Sequence, residues 1–176
     1  MSNRLSHKIL CAGLLALASS GWTSSATAGD YDGKNGSDVA KMLPSAKVKL
    51  QQALKAAEAK GQPISAKFEM DEGKFQLSVY TAKGEEFSEV LVNYKSGAIA
   101  KSEKIDQGED LANAKAQADA MRNAKKSLRA AVDQAEHEVA GGRAVSVTPT
   151  MSDGHAKAEV TVLKAGQYKS IMESLE

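Results

Sequence analysis

The sequence predicts an α+β fold of two repeats, each one helix packed on a three-stranded antiparallel sheet. Three observations predict it. Apolar residues recur at spacings of three and four in two stretches, ending near Lys60 and near Val139. Each stretch is followed by runs in which apolar and polar residues alternate, broken by glycine-bearing turns. The two halves also match each other. Leu50, Ala53 and Ala57 correspond to Leu128, Ala131 and Ala135, whereas Met70, Gly73, Val79 and Phe87 correspond to Met151, Gly154, Val160 and Tyr168. The two offsets differ by a few residues that fall in the helix–strand loop, where insertions cost little. This pattern is that of an internal duplication.

Residues 1–28 read as a cleaved signal peptide. Arg4 and Lys8 form a basic start, "ILCAGLLALA" is an apolar run too short to span a bilayer, and "ATA" (Ala26 to Ala28) supplies the small residues of a cleavage site. Cys11 opens the apolar run instead of closing it, which argues against lipidation. Loss of Arg4 and Lys8 leaves 21 Lys and Arg against 22 Asp and Glu. That balance gives no basic excess for nucleic acid or anionic lipid. The sole cysteine departs with the leader, so the mature chain must hold together by packing without disulfides. A periplasmic or secreted protein with no membrane span after signal cleavage is expected.

Residues 29–44 are expected to form a flexible mature N-terminus. Asp30 and Asp32 suggest a calcium loop, but Lys34 and Lys41 stand where that loop needs acidic ligands. Residues 45–105 form the first repeat. Val48, Leu50, Ala53, Leu54 and Ala57 lie along one helical face, Pro44 suits the helix start, and Gly61 ends it. Ile64, Ala66, Phe68 and Met70 then alternate with Ser65, Lys67 and Glu69. After the turn "DEG", Phe75, Leu77 and Val79 continue the apolar face, and after "AKGEE" so do Val90, Val92 and Tyr94. The helix can cover that face.

Residues 109–139 carry a heptad-like seam of Leu111, Ala114, Ala118, Met121, Lys125, Leu128, Val132, Ala135 and Val139. Unbroken, it would be about 45 Å long. A seam so rich in alanine buries little area for a coiled coil. Residues 106–124 are therefore read as a helical linker, and residues 125–176 as the second repeat. "AGGR" (Ala140 to Arg143) stops the helix. Val145 and Val147, then Ala156, Ala158, Val160 and Val162, alternate about the turn "SDG", and Tyr168 to Leu175 forms the last strand. Pro149 marks its strand as an edge or a bulged one.

Catalytic and metal-binding constellations are missing from the pattern. His137 sits between two glutamates with Gly141 at the next helical position, and His155 follows a turn glycine. Without cysteines or paired histidines, zinc and copper lack ligands. Neither a nucleophile elbow nor a phosphate-binding glycine loop is present. No cofactor is expected, and an enzyme is the least favoured of the classes weighed.

The unit "LQQALKAAEAKGQPISAKFEMDEGKFQLSVYTAKGEEFSEVLVNYKSGAIA" resembles a PepSY domain. The likeness lies in the Ala-rich helix, the glycine break, "GK" before an alternating strand, and the strand "VLVNYKSGAI". It covers residues 45–102 well and residues 125–176 less well. The resemblance implies an exported, non-catalytic module with an inhibitory or regulatory role towards peptidases, partnered by an envelope or extracellular protein. A small-ligand- or metal-binding periplasmic domain is the alternative. Tyr80 and Leu91 are the candidate partner-binding residues: strand parity points both away from the helix, on a face otherwise carrying Lys67, Glu69, Lys74, Gln76, Ser78, Glu89 and Asn93. Packing of the pair against the second repeat or the long helix is the competing explanation.

Overall fold

The computed structural model describes Tyr31 and residues 33–176. The expected signal peptide, together with Asp30 and Asp32, lies outside the described residues. Seven strands form one antiparallel sheet: β1 (Gln62–Asp71), β2 (Lys74–Lys83), β3 (Glu86–Val92), β4 (Ile99–Ile105), β5 (Arg143–Ser152), β6 (His155–Lys164) and β7 (Gln167–Ser174). Their order is β4-β3-β2-β1-β5-β6-β7. Four α-helices accompany them: α1 (Gly33–Met42), α2 (Leu50–Ala57), α3 (Gly108–Arg122) and α4 (Leu128–Glu138).

The α+β class holds, but the expected pair of separate three-stranded sheets is replaced by one sheet of seven. Two causes are visible. First, β1 and β5 pair at Ala66↔Val147 and Lys67↔Ser146. Left apart, each would expose a row of unpaired backbone groups beside an apolar face. Second, "IAKSEKI" adds β4 to the outer edge of β3, from Phe87↔Ile105 to Val92↔Ile99. Its two lysines and glutamate conceal a strand from hydropathy, as is usual at a sheet edge.

Several local features recur at an offset of 81 positions in the strands and 78 at the helix starts. Bulges fall between Pro63 and Ser65 in β1 and between Ala144 and Ser146 in β5. Two-residue turns at Glu72-Gly73 and Asp153-Gly154 have positive φ at both positions (48° and 77°, 54° and 80°). That is the turn whose twist matches antiparallel strands, and glycine at its second position adopts it without a Cβ penalty. Lys47 and Val48 amides donate to the Tyr94 carbonyl, as Lys125 and Lys126 amides donate to the Leu175 carbonyl.

α2 and α4 lie side by side on one face. α2 packs on β1, β2 and β3, and α4 on β5, β6 and β7. Beneath them Phe68, Leu77, Val79, Val90, Val147, Ala158 and Val160 are fully buried, and Val92 is nearly so. Gln51 Nε2 bridges the helices, reaching Asp133 Oδ1 and Glu136 Oε2 at 3.0 Å each. α2 is shorter than the periodicity implied, because Leu43–Ser45 is a separate 3-10 turn and Val48 is held by Tyr94.

Residues 106–124 are not a linker, since α3 packs on the opposite face against β1, β2, β5 and β6. The long seam breaks at residues 123–127. The Leu175 carbonyl takes two amides there, and Ser127 Oγ caps α4 by accepting from the Ala130 amide at 3.2 Å. The flexible N-terminus is likewise corrected. α1 is a helix with Val39 fully buried, and Tyr31 Oη lies 2.7 Å from the Phe68 carbonyl and 3.0 Å from that of Val145. Those carbonyls belong to β1 and β5 just beyond their last paired residues, so the hydroxyl continues the seam where the ladder stops. Pro149 sits in a part of β5 paired to β6 alone, where its missing N–H costs no ladder bond.

Candidate functional site

The sequence-derived pair Tyr80 and Leu91 does lie on the face away from α2, but α3 covers much of that face. Tyr80 pairs with Glu89, and Leu91 sits diagonally from Tyr80 opposite Ser78. Tyr80 is 3% exposed and Leu91 half-buried. Instead of a surface anchor, Tyr80 belongs to a polar layer between sheet and helix. Ser65 Oγ donates to Gln117 Oε1 of α3 at 2.7 Å, and Ser78 Oγ donates to Glu69 Oε1 at 2.7 Å. Lys67 Nζ is 2.7 Å from Glu69 Oε2 and 5.9 Å from the centre of the Tyr80 ring. Burial, then the charges of Glu69, Glu89 and Asp110, push the Tyr80 phenol well above its ordinary range. A phenol so held stays protonated and acts as packing.

The histidines are not brought together. His137 is exposed on α4, and His155 Nδ1 pairs with Glu176, 2.9 Å from Oε2. That contact holds the Glu176 carboxyl below its usual value. Among the described residues no group of three or more His, Cys, Asp or Glu could hold a metal.

A recess lies elsewhere in the fold. α2 ends at Ala57, and the chain turns through Gly61 into β1. α3 ends at Arg122, and α4 begins after the break. These four segments enclose a cavity of about 470 Å³. Leu54, Pro63, Met121 and Leu128 supply apolar lining. Leu54, Met121 and Leu128 are themselves anchored in the core, at 1%, 7% and 3% exposure. Lys125, Lys126 and Arg129 supply three cations.

The lining also includes Ser127, so the positive end of the α4 dipole opens into the same space. Glu58 is the lone carboxylate of the lining, and it is engaged already. A hydrogen bond from Lys55 is the chief cause of its lowered pKa, with Arg129 contributing. Lys126 Nζ is drawn partly aside by the Ser174 carbonyl at 3.3 Å. The result is an apolar recess with a cationic rim, of a size that accepts a few side chains or a small ligand.

Sequence reasoning missed this cavity. Lys125 stands within the heptad-like seam, and Ser127 two residues on was the available signal of a break. Serine is a favoured N-cap, so Ser127 marks a helix start, and a start there bends the seam into a corner.

No family model matches the chain, and no curated protein does. Among solved structures, the chain is similar to one described as a "putative lipoprotein" from Clostridium difficile 630, at 16% identity and a TM-score of 0.41, covering 74% of this chain and 88% of that one. A likeness at that level carries no argument about this chain. No helix among the described residues is long and apolar enough to cross a membrane.

Proposed function

We propose that this chain is an exported, non-catalytic binding module of PepSY type that takes an acidic, apolar-flanked segment of an envelope protein into the cavity between α2, α3 and α4. The observation that carries the reading is the composition of that cavity, an apolar lining under Lys125, Lys126 and Arg129. A peptide carboxylate would meet three cations and a helix N-terminus, while a neighbouring aliphatic or aromatic side chain would displace water from Pro63 and Ala124, half-buried apolar residues of the lining. The recurrence 81 positions apart supports an internal duplication, in which the cavity forms where the second unit's helix begins beside the end of the first unit's helix. The signal-like leader and the residues resembling PepSY support a partner among envelope proteins, with a peptidase as the class the resemblance favours.

The experiment is capture of envelope proteins by the tagged chain, comparing wild type with Lys125→Glu plus Arg129→Glu. Both side chains reach solvent or are half-buried, so the fold should persist, and circular dichroism checks it. Loss of a captured protein with the fold intact supports the reading. Capture unchanged by reversing both charges refutes it.

A further inference from the structure

The third strands of the two units are treated differently. β3 carries β4 along its outer edge, whereas β7, its counterpart at an offset of 81, has no strand on its outer edge among the described residues. Along this eight-residue strand the alternate backbone groups that face away from β6 have no strand to pair with among the described residues. The sequence of that edge is "QYKSIMES", and its charges are arranged symmetrically: Lys169 and Glu173 lie two residues either side of Ile171. All three point to the α4 side of the sheet, opposite Val162, Ala158 and Val160 of β6 respectively.

An antiparallel pairing of β7 with its own copy, centred on Ile171, sets each Lys169 opposite the other copy's Glu173. It also sets Ile171 against Ile171, and Ser170 against Met172 on the reverse face. Directly opposed side chains in such a pair stand roughly 5 Å apart at Cβ, close enough for both ion pairs. Among the described residues, Glu138 and Lys126 are the charges that act on Glu173. Its Oε1 is buried with no hydrogen bond, and burial followed by the nearby Glu138 raises its pKa despite Lys126. Met172, on the reverse face, is 48% exposed, one of the few large apolar side chains so open.

Helix spacing permits the approach. α2 and α4 already lie side by side over strands three steps apart, across the β1·β5 seam. Two α4 helices over the β6 strands flanking a β7·β7 junction would likewise be three strand spacings apart, roughly 14 Å.

We propose that β7 is a self-association edge, through which two copies join antiparallel about Ile171 into one continuous sheet held in register by two Lys169–Glu173 pairs. The test is sedimentation equilibrium on the purified chain over a wide concentration range, with Lys169→Glu, Glu173→Lys and the double variant. The wild type is expected to dimerise. Each single change opposes like charges at both pairs and should raise the dissociation constant about tenfold or more. The double variant restores opposite charges and should restore the dimer. Hydrogen exchange on the wild type gives a second readout, with protection at β7 amides that rises with protein concentration. A wild type that stays monomeric throughout overturns the proposal, and so does concentration-independent protection, which would mean that a segment of the same chain covers the edge. A dimer indifferent to all three variants overturns it as well.

Discussion

Replacing Tyr31 by Phe removes one hydroxyl and nothing else from the seam of the sheet. β1 and β5 are joined by only two residue pairs, and the next carbonyls along, Phe68 and Val145, are reached by Tyr31 Oη at 2.7 and 3.0 Å. One hydroxyl proton serves the two carbonyls, so a single hydrogen bond is lost while both acceptors keep their positions. Tyr31 is 5% exposed, which leaves little room for water to substitute. Loss of a buried bond of this kind costs about 1–3 kcal/mol. The ring remains, and with it the stacking on Tyr168 at 4.8 Å between centroids. In a domain of this size each kcal/mol shifts Tm by about 2–4 °C. Urea denaturation should show a lower midpoint with an unchanged slope. An unchanged midpoint would refute the reasoning, because the segment before α1 would then add nothing to the seam.

Tyr80→Ala should lower stability by about 3 kcal/mol or more, since the ring is buried beneath α3, and Leu91→Ala should cost less; a calorimetric scan in which the two rank the other way contradicts the polar-layer assignment. Burial, partly offset by the Ala40 amide, raises the Tyr168 phenol to about 12, and its hydroxyl donates to the Gly36 carbonyl at 2.7 Å. The folded state therefore holds this proton more tightly than the unfolded chain, whose tyrosines titrate near ~10. The stability so contributed is full below that pH and is lost as pH rises through about 12. Phenolate absorbance should show a late step that Tyr168→Phe removes, and a step unaltered by that change would contradict the assignment.

The strands were legible because alternation survives in them. Phe68, Leu77 and Val79 face the helices as their spacing implied, and the turns at Glu72-Gly73 and Asp153-Gly154 announced themselves by residue type. β4 was illegible, because an edge strand carrying two lysines and a glutamate has little apolar content to alternate. The seam between β1 and β5 was illegible for another reason: two residue pairs leave no signature in composition. α1 contains five polar residues and two glycines among its ten, and its place depends on a tyrosine and a valine meeting groups far along the chain. The candidate site was misplaced on the same ground. Strand parity correctly set Tyr80 and Leu91 on the face away from α2, but parity says nothing about what lies over that face, and α3 does. The cavity arises from a break in a heptad pattern, and the partner that breaks it, the Leu175 carbonyl, is some fifty residues distant.

The measurement that bears most directly on the account is photo-crosslinking in the living cell from Gln62, an exposed residue of the cavity lining. A photoreactive residue there should yield a crosslink to an acidic, apolar-flanked peptide of an envelope protein, and Lys125→Glu with Arg129→Glu should abolish it. Crosslinks that persist through both charge reversals, or that join only cytoplasmic proteins, would contradict the account.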